Sequence, residues 1–179
     1  MCIRDRSIVF DCDGVLLDSN RIKTNAFYKT TIPFGVGPAN CLVDYHKKNG
    51  GISRFVKFMY FADNILPAWN IFLKDKDETV LKLIKTFSDV VLNEYAQCKI
   101  VGHLNKLRLA TKNAKWHVVS GGLEGEIIDI LQAKNVSHLF DGGIFGSPDN
   151  KDQIFQREMS NGNIQRPCLF IGDSQYDYQ

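Results

Sequence analysis

The stretch Ser7-Ile-Val-Phe-Asp-Cys-Asp-Gly-Val-Leu-Leu-Asp18 constrains the chain most, because a short apolar run delivers two carboxylates straight into a glycine turn. A buried parallel strand reads as a continuous apolar run of roughly four to eight residues, and open α/β sheets bind ligands beyond the carboxyl ends of such strands. Asp11 and Asp13 stand at that end. Residues two apart on a strand share a face, so both carboxylates are expected to address one ligand while Cys12 points away. Two like charges this close call for a cation.

Strand-like runs recur later in the chain. Trp116-His-Val-Val119 reads as a second buried strand ending in Ser120-Gly-Gly122, followed by an amphipathic helix over Leu123 to Lys134 with Ile127, Ile128 and Leu131 on one face. Leu139 to Phe145, interrupted by Gly142-Gly143, reads as a third strand, and Asp152 to Met159 as a further helix. Cys168-Leu-Phe-Ile171 is the fourth, running into Gly172-Asp-Ser174. Strands alternating with helices predict a parallel sheet covered on both faces, an α/β doubly wound fold.

The block from Ser19 to about Cys98 carries helical spacing throughout and no convincing strand. Ser19 is a plausible N-cap, with Ile22, Ala26 and Phe27 following at helix spacing; Pro33, Gly35, Gly37 and Pro38 break the pattern. Helices are expected at about Ala39 to Lys48, Ser53 to Ile65 and Asp77 to Gln97, and another over His103 to Ala114. A helical insertion directly after a strand bearing two carboxylates reads as a lid over them. The expected division is a discontinuous core of residues 7–18 and 100–179 with a helical cap of residues 19–99. Hinges are expected near Asp18 to Arg21 and Lys99 to Gly102.

Composition narrows the function. With 44% hydrophobic and 23% charged residues in 179, the chain is large enough for one or two domains with a sizeable core. The net charge of +2 is small and its lysines and arginines are dispersed, which argues against nucleic acid as a partner. No run approaches the roughly 18 apolar residues of a membrane helix, and the opening residues lack the apolar segment of a signal peptide. Cys2, Cys12, Cys41, Cys98 and Cys168 form no C-x-x-C pair, which argues for reduced thiols, a cytoplasmic location and no zinc site. Residues 1–6 fit no fold element and are set aside as foreign to the fold.

Each strand end offers a group suited to one chemistry. Asp11 is a candidate nucleophile and Asp13 a candidate acid/base; Ser120 with the following glycine amides, read as a turn at a helix N-terminus, makes an anion seat. Lys151 adds a compact positive charge, and Asp173 and Asp177 add hard oxygen ligands of the kind magnesium prefers. Together they describe phosphoryl transfer.

Asp11-Cys-Asp-Gly-Val15, Val118-Val-Ser-Gly121, Lys151 and Gly172-Asp-Ser-Gln-Tyr-Asp177 resemble, in order, the four motifs of the haloacid dehalogenase-like superfamily. The resemblance covers nearly the whole chain and implies a Rossmann-like core with an inserted α-helical cap. Asp13, an acidic residue at its position, implies the phosphatase and phosphomutase branches, and within them the chain is similar to the phosphoglycolate phosphatase and β-phosphoglucomutase group. The resemblance makes Asp11 the residue phosphorylated on its carboxylate and Asp13 the acid, then the base. It implies Mg2+ bound by the Asp11 and Asp173 carboxylates and the Asp13 carbonyl with Asp177 in support, and phosphoryl oxygens held by Ser120, the Gly121 amide and Lys151. Gly51-Ile-Ser-Arg54 is similar to a substrate-contacting loop of β-phosphoglucomutases, so Arg54 is expected to grip a distal anion and Lys23 to reach substrate from the first cap helix. The expected activity is hydrolysis of a small phosphorylated metabolite. A phosphosugar mutase is the alternative, and a non-catalytic phosphate-sensing module a third reading. In this family a helix and usually a strand follow the fourth motif, so the chain is expected to be a C-terminally truncated fragment.

Overall fold

The apolar runs become the four parallel strands of one sheet, β1 (Ser7–Phe10), β2 (Lys115–Leu123), β3 (Gly143–Ser147) and β4 (Cys168–Ile171), in the order β3-β2-β1-β4. The computed structural model describes residues 6–178, with all side chains in that span except those of Tyr176 and Tyr178. β1 is paired on both sides, Val9 lying between His117 and Phe170, and its four residues are at most 3% exposed. Its alternation serves two cores. Ile8 and Phe10 join Trp116, Val118, Leu131 and Phe140 in one cluster, while Val9 and Val119 join Ile154 and Ile164 in another, so the apolar run of one strand fills both faces.

Between β1 and β2 the chain forms α1 (Asn20–Thr31), α2 (Val36–Lys48), α3 (Arg54–Tyr60), α4 (Leu66–Ala68) and α5 (Lys76–Tyr95); α6 (Leu104–Ala110) precedes β2, α7 (Glu124–Ala133) follows it, and α8 (Lys151–Ser160) follows β3. Phe27, Phe58 and Phe87 meet with ring centroids 4.5 to 5.7 Å apart and tie α1, α3 and α5 together. The two strands of chain that link this helical block to the sheet pair with each other: the Asp18 amide donates to the Lys99 carbonyl at 3.0 Å and the Val101 amide to the Leu16 carbonyl at 2.8 Å. Both connections are therefore fixed by main-chain bonds to one another.

Several element boundaries differ from the sequence reading. Pro38 does not break α2 but sits in its first turn, where the missing N–H has no partner to lose; the break is at Gly35, whose φ is +113°. The helix expected over Ser53 to Ile65 is α3 followed by a π-turn at Phe61–Ile65, widened just before Pro67, which has no N–H to donate back into it. α6 is shorter than expected. β3 begins only at Gly143, because Leu139 and Phe140 leave the sheet direction to plug the core. Of the leader set aside from the sequence, residues 1–5 lie outside the described residues. Arg6 belongs to the fold: its amide donates to the Pro167 carbonyl and its carbonyl accepts from the Lys115 amide, both at 2.9 Å. No described helix is long and apolar enough to cross a membrane.

Phe58 is fully buried in the aromatic junction of the helical block. Phe58→Ala should cost about 3–5 kcal/mol, read as a lower midpoint in urea unfolding, because the surrounding rings cannot collapse into the space.

Candidate active site

Asp11 is the first residue beyond β1, and its amide stays in the ladder, donating to the Ile171 carbonyl at 2.9 Å. The residue is 4% exposed; Oδ1 accepts from the Cys12 amide at 2.7 Å and Oδ2 from Lys151 Nζ at 2.7 Å. Burial pushes the Asp11 carboxyl up to about 6, against the pull of Lys151 and with the push of Asp13. Cys12 points into the core, as expected from the alternation, and burial holds its thiol protonated. Gly14 follows at φ +75°, and a Cβ there would stand 1.9 Å from Asp173 Oδ2, so the turn is closed to any side chain.

Lys151 is not a loop residue but the first residue of α8, placed by an Asn150–Gln153 capping box. Its buried ammonium bridges Asp11 and Asp177. Asp177 lies in the 3-10 turn Gln175–Tyr178 and also accepts from the Ser174 amide at 3.0 Å and hydroxyl at 2.7 Å. Asp173 is exposed and accepts from Asn20 Nδ2 at 2.8 Å. Carboxylate oxygens of Asp11, Asp173 and Asp177 all lie within 4.8 Å of one another. Three hard oxygens that close fit a divalent cation of the magnesium type.

Asp13 is held differently. Its Oδ1 accepts from the hydroxyls of Ser19 and Tyr95, each at 2.6 Å, and its Oδ2 forms an ion pair with Lys23. Burial pushes its carboxyl up, but Lys23, Ser19 and Tyr95 together bring it down to about 2. Ser19 thus spends its hydroxyl on Asp13 and makes no side-chain bond to cap α1, and Lys23 contacts a carboxylate of the site. Tyr95, at the end of α5, escaped the sequence reading altogether. Nothing local marks a tyrosine 82 positions away as a partner of Asp13.

Ser120, Gly121 and Gly122 sit inside an irregular end of β2, whose pairing shifts between Val119 and Leu123, and not in a turn at a helix N-terminus. α7 starts at Glu124 with Leu123 as its N-cap, so the anion seat is made of strand amides that lead directly into the helix. Ser120 Oγ, 1% exposed, accepts from the Gly122 amide at 3.1 Å. The Gly50–Gly51 loop rests on this segment: a Cβ on Gly121 would meet the Gly51 carbonyl at 2.2 Å. Next to it Arg54 is 4% exposed and makes a two-pronged pair with Glu126 of α7, one prong at 2.8 Å, with Ser88 at 2.9 Å and the Phe87 ring 4.7 Å beneath. Glu126 had no signal in the sequence beyond its place on α7. Asp11, Asp13, Lys23, Arg54, Ser120 and Asp173 all line one cavity of about 640 Å³, whereas Lys151 and Asp177 support it from behind Asp11.

Residues 6–179 match the haloacid dehalogenase-like hydrolases. The chain belongs to this family. Among solved structures it is similar to a predicted phosphoglycolate phosphatase from Haemophilus somnus 129PT (18% identity, TM-score 0.75, 99% of this chain and 80% of that one). It is also similar to a β-phosphoglucomutase from Clostridium difficile (21%, TM-score 0.73, 95% and 77%) and a predicted phosphatase from Clostridium acetobutylicum (20%, TM-score 0.70, 97% and 78%). At these identities the likeness is one of fold. No curated protein matches the chain by sequence.

The raised Asp11 pKa has a stability signature. A carboxyl whose folded value, about 6, exceeds its ordinary 3.8 favours folding fully below about pH 4 and loses that contribution as pH rises through 6. In metal-free buffer Asp11→Asn should therefore gain on wild type by an order of 2–3 kcal/mol between pH 4 and pH 7, read by urea unfolding at both. Gly121→Ala should dislodge the Gly50–Gly51 loop, seen as faster cleavage at that loop in limited proteolysis with the remaining fold intact.

Proposed function

We propose that this hydrolase is a Mg2+-dependent phosphatase that releases phosphate from a small phosphorylated metabolite through an aspartyl-phosphate on Asp11. The observation that carries the reading is Asp11 itself: a buried carboxylate on the wall of a cavity, one oxygen held by Lys151 and the others of its acidic cluster within 4.8 Å. An Asp11 oxygen attacks phosphorus, the ester oxygen leaves with a proton, and water then cleaves the acyl phosphate. Magnesium, which Asp11, Asp173 and the Asp13 carbonyl would hold with Asp177 in support, neutralises charge on the transferred group. Lys151, Ser120 and the Gly121 amide supply fixed positive charge and donors for the phosphoryl oxygens.

Asp13 is assigned the proton transfers. Ionised between Ser19, Lys23 and Tyr95, it is a base without a proton to give, so the acid step requires it to leave those three donors and become protonated beside the leaving oxygen. Ser19, Lys23 and Tyr95 all come from the helical block, which supports reading residues 19–99 as a cap over a core of residues 7–18 and 100–179, with its seating a control on Asp13. The site is assigned to a cytoplasmic protein with a phosphorylated small molecule as its partner.

The mutase alternative draws on the Gly51-Ile-Ser-Arg54 loop, which lines the same cavity. Arg54 is engaged by Glu126 and is not free to grip a second phosphate while that pair holds. Asp11→Asn and chelation of magnesium should each abolish phosphate release from p-nitrophenyl phosphate, and release that survives Asp11→Asn rejects the mechanism. Isomerisation of a hexose 1-phosphate with a bisphosphate primer, in place of net inorganic phosphate, would transfer the assignment to the mutase.

A further inference from the structure

Lys57 stands one turn after Arg54 on α3, is 2% exposed, and lines the cavity that holds Asp11 and Asp13. Its Nζ lies 3.0 Å from Nδ1 of His46 and 5.5 Å from the centre of the Phe27 ring, on which His46 also packs at 4.6 Å. Among the described residues no carboxylate is within ion-pair distance of it. A lysine is seldom this buried without an acidic partner, because the desolvated ammonium then has no compensating charge. Burial, with Lys23 nearby and Asp13 pulling the other way, brings Lys57 down to about 7, and burial, with Lys57 beside it, brings His46 down to about 3, so His46 is a neutral partner beneath the lysine.

The other buried cations of the wall are committed: Lys23 to Asp13 and Arg54 to Glu126. Lys23 and Phe27 are four apart on α1 and share a face, so the wall runs from Asp13 past Lys23 and the Phe27 ring to Lys57. We propose that Lys57, seated on His46, binds a second anionic group of the substrate, remote from the transferred phosphoryl, and that the substrate is accordingly a phosphomonoester carrying a distal carboxylate or phosphate. A neutral sugar or alcohol would leave the ammonium without a contacting anion; a distal anion supplies the direct partner that the described residues do not. Which end of the substrate is distal rests on the phosphatase reading; that an anion sits on Lys57 does not.

The test is calorimetric titration of the full chain, with Mg2+, using phosphonates of three and five carbons ending in a methyl, a carboxylate or a second phosphonate. At one length or both, an anion-ended ligand should bind at least about tenfold more tightly than its methyl-ended counterpart. The better of the two anions names the distal group. Lys57→Met should erase the difference; should that variant not fold, Lys57→Gln takes its place. Equal affinity for methyl-ended and anion-ended ligands at both lengths overturns the proposal, and so does a preference that survives the loss of Lys57. Discrimination by a protein that fails to hydrolyse p-nitrophenyl phosphate keeps the subsite and removes the phosphatase. Hydrolysis without discrimination does the reverse.

Discussion

Two carboxylates at the end of a buried central strand must each be met by a cation, and most of the molecule's arrangement around that point follows from how this is done. Asp11 is met from the far side by Lys151, which requires α8 to begin at that residue and Asp177 to fold back beside it. Asp13 is met from the near side by Lys23, which requires α1 to start directly over the strand end. The two pairings have opposite outcomes. At Asp11 burial outweighs the lysine and the pKa stays raised, while at Asp13 the lysine and two hydroxyls outweigh burial and drive it low. Neighbouring aspartates of one sequence motif are thus set apart by their surroundings alone.

Main-chain crowding is the other side of that arrangement. Gly14 meets Asp173, Gly172 meets Asp177 and Gly121 meets the Gly51 carbonyl, in each case closer than a Cβ tolerates. The ends of β1 and β4 are therefore packed against one another, and the end of β2 against the Gly50–Gly51 loop, with hydrogens where side chains would stand, and carboxylate oxygens of Asp11, Asp173 and Asp177 approach within 4.8 Å.

The parts of the molecule legible in the sequence were those fixed by local pattern. The apolar runs of β1, β2 and β4 and the α/β alternation announced the parallel sheet, and the acidic motifs announced which residues gather at its end. Boundaries went astray where a residue had two local readings: Pro38 breaks a helix interior but suits a first turn, and Gly121-Gly122 serves an irregular strand as well as a turn. Partnerships across long separations were illegible. Tyr95 with Asp13, Glu126 with Arg54 and Lys57 with His46 depend on how α5, α7 and α2 pack, and no spacing encodes that. Arg54 illustrates the limit best: its place by the cavity was readable, but its occupation by Glu126 was not.

That occupation gives the Arg54–Glu126 pair an unusual part to play. Two ions sealed from water gain from each other roughly what they forfeit in hydration, so such a pair contributes little net adhesion between the surfaces it joins. What it contributes is alignment, since the planar guanidinium donates to a carboxylate in only a few orientations. The helical block is thereby keyed to α7 without being glued there: separated, both ions recover their water, and brought together again they fall back into a single register. An enzyme that must admit a substrate and then enclose it needs this combination, in which the closed geometry is specified sharply and yet costs little to leave.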